Sequence, residues 1–171
     1  QFVKSSKSGI LTEDFRILPI SEVLILHDEE RVLEKLSHEG IDLHKVALVN
    51  EKDVKNKALL QRLRDLSPGM SNSFSSKILY YSPNVIEYEI KTDIPLLLFF
   101  NEIYYPGWEL LSDDKMVDTI RVNHTFRGAY VAAGLHHLKM YFSPRLFKIG
   151  FFISMLSIVL MILLSQKWKR S

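Results

Sequence analysis

The chain has 171 residues, a formal net charge of +2 and 25% charged residues, which leaves room for one sizeable core or two small ones. This charge is too small, and the basic residues are too rarely interleaved with aromatic ones, to indicate a nucleic-acid partner. The absence of cysteine excludes disulfides, thiolate metal sites and cysteine nucleophiles, and no motif indicates a cofactor.

Residues 1–66 predict a small α/β subdomain. FRILP and EVLIL are typical of short strands, and HDEERVLEKLSHEG indicates a helix with Asp28 as its N-cap and Gly40 after its end. KVALVN has the composition of a buried strand, and residues 53–66 carry leucines at helical spacing. Because no glycine-rich turn follows these strands, a dinucleotide site is not indicated.

Residues 67–76 predict a linker, because Ser, Pro, Gly and Asn cluster in SPGMSNSFSS. Residues 77–143 then predict an antiparallel, jelly-roll-like β-sandwich built from short runs with turn signals between them. The runs are KILYYS, NVIEYEIKT, PLLLFFNE, WELLS, MVDTIRVN, RGAYVA and HHLKMYFS. The predicted fold class is therefore α+β.

Residues 144–166 predict one C-terminal transmembrane helix. No charged residue occurs in residues 149–164, and the run is apolar on all sides. With the apolar residues before it, and at about 1.5 Å per residue, such a helix approaches the ~30 Å thickness of a hydrocarbon core. The alternative is the buried C-terminal helix of a soluble protein.

Residues 167–171 predict a basic tail on the cytoplasmic side, because cations concentrate there. The soluble part of the chain is then extracytoplasmic. Small residues in the helix would admit other transmembrane helices, from the same longer protein or from partner subunits. The residues that we predict to hold the chain in the lipid bilayer are Phe147, Lys148, Gly150, Phe151, Phe152, Trp168, Lys169 and Arg170.

The stretch YYPGW is the first candidate binding site. The aromatic faces of Tyr104, Tyr105 and Trp108 suit sugar rings, whose axial C–H groups pack on a π surface. The alternative is that Pro106-Gly107 forms a turn and that Trp108 fills the core of the sandwich.

The stretch NHTFRG is the second candidate site. Arg127 is able to hold a phosphate or a carboxylate with two parallel N–H donors. The alternative is a strand-edge cation that pairs with Glu102 or Glu109. The glycan-binding set that we predict from both stretches is Tyr105, Trp108, Asn123 and Arg127.

No pattern of residues predicts a catalytic or metal site. His136 and His137 are adjacent on a predicted strand and therefore point to opposite faces. Asp113-Asp114 with Asp118 fits a solvated hairpin better than a calcium site.

Three stretches carry a family resemblance: NEIYYPGWEL, RVNHTFRGAYVAAGLHHLKMYF and SPRLFKIGFFIS. Together they resemble the C-terminal end of the YfhO-like bacterial membrane proteins. These multi-spanning proteins are classed with the GT-C type glycosyltransferases, which use polyprenyl-phosphate sugars on the outer side of the membrane. The family's Asp-Gly turn is replaced here by Asp113-Asp114-Lys115, which predicts a more open loop.

The resemblance implies a function and a location. The first residues, QFVKSSKSGI, contain no apolar run and so do not predict a signal peptide. The chain would be the C-terminal accessory part of a longer glycosyltransferase in the bacterial inner membrane. It would cap the catalytic cavity and hold a glycan or a polyprenyl-phosphate sugar, while the catalytic acid lies in a loop elsewhere. The alternative is a membrane-tethered interaction module that docks onto envelope protein complexes without sugar chemistry.

Overall fold

The computed structural model describes residues 16–20, 22–37, 40–66 and 73–169. Outside these residues lie the N-terminal stretch 1–15, most of the predicted linker (67–72) and Arg170. Within helix residues 145–169, side chains are described for Phe147 and residues 149–162, so the predictions for the Lys148, Trp168 and Lys169 side chains also lie outside the description.

The described chain forms a β-sandwich of two sheets with few helices, which confirms the α+β class with a sandwich. Its strands are β1 (Ile17–Ile20), β2 (Glu22–Leu26), β3 (Val46–Asn50), β4 (Ser75–Ser82), β5 (Val85–Thr92), β6 (Leu96–Ile103), β7 (Trp108–Ser112), β8 (Lys115–Val117), β9 (Thr119–Val122), β10 (Phe126–Val131) and β11 (Gly134–Phe142). Its helices are α1 (Glu29–Ser37), α2 (Lys57–Arg64) and α3 (Arg145–Lys169), with a 3₁₀ turn at Glu51–Asp53.

The larger sheet has the strand order β1-β6-β10-β9-β3-β2. Strands β2 and β3 pair in parallel and are connected by α1, and the other neighbouring strands pair antiparallel. Both segments on either side of the predicted linker therefore contribute to one sheet. The division of the chain into two domains, residues 1–66 and 77–143, stays a prediction. The hydrogen bonds of the larger sheet join strands from both of these segments.

The smaller sheet has the strand order β4-β5-β11-β7-β8 and is antiparallel throughout. The run MVDTIRVN was predicted as one strand, and the structure divides it at Asp118 into β8 and β9, which belong to different sheets. Asp118 leaves the strand conformation and accepts a 2.7 Å hydrogen bond from Nδ2 of Asn56. One short run thereby connects the two layers of the sandwich.

Strand β6 (LLLFFNEI) is the central element of both hydrophobic cores. Leu96, Leu98 and Phe100 face the core between the two sheets. Leu97 and Phe99 face the other core, where α2 supplies Leu59 and Leu63. A strand that is buried on both faces is expected to be a continuous apolar run, as this one is.

Helices α1 and α2 begin at polar caps. Asp28 accepts a hydrogen bond from the backbone N of Arg31 at 3.0 Å, which confirms it as the cap of α1. Helix α2 is shorter than the predicted 53–66, because Asn56 accepts from the backbone N of Ala58 at 3.0 Å and starts the helix there.

The turn between β7 and β8 is tight, and the prediction of a more open loop is wrong. Ser112 pairs directly with Lys115, and Asp113 and Asp114 adopt φ angles of 50° and 62°. Two positive φ angles in a two-residue hairpin define the type I′ turn that normally selects Asn-Gly or Asp-Gly. Asp113 anchors the turn to β11, because its carboxylate accepts from the backbone N of His137 at 2.9 Å.

Helix α3 corresponds to the helix predicted at residues 144–166. Its described apolar side chains are exposed on all sides, including Phe152 and Leu156, each at 69%. Among the side chains that the structure describes, no helix has both the length and the apolarity needed to cross a membrane.

We predict that Asp114→Gly stabilises the protein by about 0.5 kcal/mol, because glycine adopts a positive φ without the strain that a Cβ brings. Asp114→Ala, the control, is expected to destabilise it. Urea unfolding of the full chain in mild detergent, followed by tryptophan fluorescence, measures both. A loss of stability in the glycine variant would contradict the assigned turn.

Candidate functional site

The candidate site is a corner, residues 104–108, that joins β6 to β7 at the end of the sandwich where α3 begins. Trp108 pairs with Phe142, the last residue of β11. The backbone N of Ser143 donates to the carbonyl O of Gly107 at 2.6 Å. The corner is therefore fixed directly to the junction between β11 and α3.

Gly107 is required at this corner for two reasons. Its φ angle is +104°, which side-chain-bearing residues rarely adopt. A Cβ built there would also lie 3.0 Å from Cε2 of Phe142 and 3.3 Å from Cα of Pro144. The close approach of the two segments thus depends on the absence of a side chain.

Three aromatic rings stack outward from the core at this corner. Trp108 is half-buried and packs against the core between the sheets, with its ring centroid 5.5 Å from that of Phe142. The ring of Tyr105 lies 6.2 Å from Phe142, and Tyr105 is 61% exposed. The structure therefore packs Trp108 against the core and leaves the Tyr105 ring largely exposed.

Arg127 lies inside the sandwich and is only 1% exposed. Its guanidinium lies 5.1 Å above the ring of Trp108 and donates to the carbonyl O of Ile103 at 3.1 Å and to Sδ of Met140. The Glu102 carboxylate is 3.6 Å away. Burial lowers the pKa of Arg127 from its usual range, and the charge of Glu102 opposes that shift.

The structure corrects one part of the interpretation of Arg127. The expected pairing with Glu102 is confirmed, whereas Glu109 instead accepts a 2.7 Å hydrogen bond from the hydroxyl of Tyr141. The expected position at a strand edge is wrong, because β10 lies between β6 and β9 inside the larger sheet. Arg127 thus supports the corner from within, through Trp108.

Asn123 is 6% exposed and connects two strands. Its Oδ1 accepts from the backbone N of Leu48 at 2.8 Å, and its own backbone N donates to the carbonyl O of Leu48 at 2.8 Å. Its φ angle of 49° matches the tolerance of Asn for left-handed backbone. The Asn123 side chain therefore holds the β9–β10 turn to β3 and does not point to the corner.

A small cavity of about 130 Å³ adjoins the corner and was not predicted from the sequence. It is lined by Tyr104, Arg121 and Asp53, together with the exposed lysines Lys52 and Lys55. Asp53 is engaged with Arg121 through contacts of 3.0 and 3.2 Å, and this pairing raises the pKa of Arg121. Because Asp53 and Arg121 offset each other's charge, Lys52 and Lys55 give the cavity a net positive charge, which suits an anion such as a phosphate.

His136 and His137 each pair with one carboxylate, and the His136 side chain is only 17% exposed. Nδ1 of His136 lies 2.7 Å from Asp113, and Nε2 of His137 lies 3.4 Å from Glu87. The hydrogen bond from His136, with that from the His137 backbone, lowers the pKa of Asp113. Within the described part of the chain, no group of three or more His, Asp or Glu side chains is arranged to hold a metal ion.

The fold and the corner define a β-sandwich module joined without slack to an apolar helix. Residues 39–154, more than half of the chain, match the family described as bacterial membrane protein YfhO. The chain therefore belongs to this family of bacterial membrane proteins. No curated protein and no solved structure matches it.

We predict that Arg127→Ala destabilises the protein by about 3 kcal/mol, because it removes packing against Trp108 and leaves a cavity. Arg127→Met keeps most of the volume and removes a buried charge, so its unfolding free energy should lie within about 1 kcal/mol of the parent. Urea unfolding measures both variants. Equal losses in the two would show that the charge, and not the packing, is what the corner needs.

Proposed function

We propose that the chain is the accessory, glycan-holding part of a membrane glycosyltransferase-like protein. Helix α3 inserts in the bacterial inner membrane, the sandwich lies outside the cytoplasm, and the basic C-terminus lies inside. The corner then holds a polyprenyl-phosphate sugar at the bilayer surface. The observation that carries the proposal is a cationic cavity lined by Tyr104, whose chain neighbour Tyr105 is exposed, in the corner that is bonded to the start of α3.

The exposed apolar surface of α3 supports insertion in a membrane. Phe147, Phe152, Leu156 and Met161 are between 66% and 72% exposed, more contiguous apolar surface than soluble proteins leave in water. The hydroxyl of Ser157 donates to the carbonyl O of Ile153 at 2.9 Å, so this polar group is satisfied within the helix, as lipid requires.

The same helix leaves space for a neighbouring helix. A Cβ built at Gly150 would meet no atom within 4 Å. Small residues on a transmembrane helix allow another helix to approach closely. We therefore expect the partners of α3 to be lipid and other transmembrane helices of the same assembly.

The chemistry of the corner fits the two parts of a lipid-linked sugar. Lys52 and Lys55 suit the phosphate, because charge-assisted hydrogen bonds to an anion are the stronger kind. The exposed ring of Tyr105 suits the apolar face of the sugar. Trp108 and Arg127 support this ring from behind through Phe142, and Asn123 holds the adjacent turn. Of the four residues predicted to bind glycan, Tyr105 then contacts the ligand, and Trp108, Asn123 and Arg127 support it.

For membrane insertion, we predict that Leu156→Arg combined with Leu160→Arg releases the full chain from lipid vesicles in a flotation experiment. Each arginine near the middle of a bilayer costs about 2.5–3.5 kcal/mol. The control is Leu135→Arg on the sandwich, where the side chain is 63% exposed and already meets water. Equal flotation of the parent and the double variant would contradict insertion.

For ligand binding, we predict that Lys52→Gln combined with Lys55→Gln weakens the affinity for a short-chain polyprenyl-phosphate sugar about tenfold, because two charge-assisted contacts are lost. The full chain in nanodiscs is titrated with this ligand. Lys77→Gln combined with Lys91→Gln, on the smaller sheet, makes the same change of charge and should bind as the parent does. Tyr105→Ala should weaken the sugar-bearing ligand and leave the affinity for polyprenyl phosphate unchanged.

Two results of this titration would contradict the proposal. One is equal weakening by both lysine pairs, which would indicate attraction by net charge alone. The other is no binding by the parent chain while it remains in the nanodisc. That second result would favour the interaction module that docks onto envelope complexes.

A further inference from the structure

A second, larger cleft lies between α2 and the β7–β8 hairpin. Its volume is about 540 Å³, within the range of about 300–1,000 Å³ that is typical of small-ligand sites. Four parts of the fold line it. They contribute Asn56 and Arg62 from the α2 region, Lys115 and Asp118 from the hairpin, Tyr130 from β10 and His136 from β11.

The cleft lies at the opposite end of the sandwich from the corner. Strand β11 passes the cleft at His136 and reaches the corner at Phe142. At about 3.4 Å per residue, these positions are about 20 Å apart along the strand. The cleft is thus distant from the tyrosine corner, whereas its residue Asn56 directly follows Lys55 of the lysine cavity.

The lining of the cleft combines an aromatic ring with donors and acceptors in fixed positions. The guanidinium of Arg62 lies 5.7 Å from the ring centroid of Tyr130, which holds this donor over the aromatic wall. Oδ2 of Asp118 accepts from Nδ2 of Asn56 at 2.7 Å, which fixes the carboxylate at the cleft. Both polar groups are therefore oriented before any ligand arrives.

The charges of the lining are balanced, and this selects the class of ligand. Two cations, Arg62 and Lys115, and two carboxylates, those of Asp113 and Asp118, line the same space. A phosphate would meet two carboxylates, and a polycation would meet two cations. A neutral polyhydroxyl compound is able to donate to the carboxylates, accept from the cations and pack its C–H face on Tyr130.

We propose that this cleft binds a neutral oligosaccharide segment. The inference deepens the proposed function and rests on it for the presence of a glycan. The corner takes the lipid-linked end at the membrane, and the cleft takes sugar units that extend away from it. The spacing of about 20 Å means that one extended glycan is able to contact both places.

The test uses the full chain in nanodiscs without lipid-linked sugar. Neutral malto-, cello- and chito-tetraose are titrated and followed by calorimetry. We expect at least one to bind, and Arg62→Gln combined with Asp118→Asn to weaken it about tenfold. Asparagine at 118 keeps an oxygen that accepts from Asn56, so the α2 cap is preserved. The matched control is Lys77→Gln combined with Glu89→Gln, a pair that lies on the outer face of the smaller sheet.

The outcomes separate this inference from the proposed function. If both double variants still bind the tetrasaccharides, the cleft is not the binding site and this inference is wrong. The titration with polyprenyl-phosphate sugar would still test the proposed function independently. Absence of binding by all three tetrasaccharides would also overturn the cleft as a neutral-glycan site. Loss of binding in the cleft variant alone, with unchanged affinity of that variant for the lipid-linked sugar, would establish two distinct sites.

Discussion

The short junction between β11 and α3 is the constraint on which the rest of the account depends. Only Ser143 and Pro144 separate the strand from the helix, and Ser143 is hydrogen-bonded to Gly107. The sandwich therefore has little freedom to swing about the helix. The first turn of α3 therefore starts at the corner, and Tyr104 of the corner also lines the lysine cavity.

Strand β6 leads into the corner and connects it to both hydrophobic cores. It is buried on both faces and pairs with β1 and β10, so one strand links the inter-sheet core to the helix-covered core. Arg127 follows from the same arrangement. Its stem fills the end of the inter-sheet core, and its charged head is satisfied by a carbonyl, a carboxylate and an aromatic face. The corner is thus positioned by packing that reaches through the whole sandwich.

The strands and the first helix could be predicted from the sequence because each is encoded by a local pattern. EVLIL and WELLS became β2 and β7 without change of bounds, and Asp28 caps α1 as its residue type suggests. The sheet partners could not be predicted, because the pairing of β3 with β9 joins Val49 to Val122. Nor could the burial of Arg127, since arginine is mostly exposed. The cleft was missed for the same reason as the pairing, because its residues come from four separate parts of the chain.

The central claim is that the tyrosine corner lies at the bilayer surface while the far end of β11 lies in water. The chain contains no cysteine, so Tyr105→Cys and Leu135→Cys each carry one spin label without background. The labels are compared in nanodiscs by their accessibility to oxygen, which concentrates in lipid, and to a water-soluble nickel chelate. The account predicts an interfacial label at position 105 and a fully aqueous one at position 135. Equal, fully aqueous accessibility at both positions would contradict it.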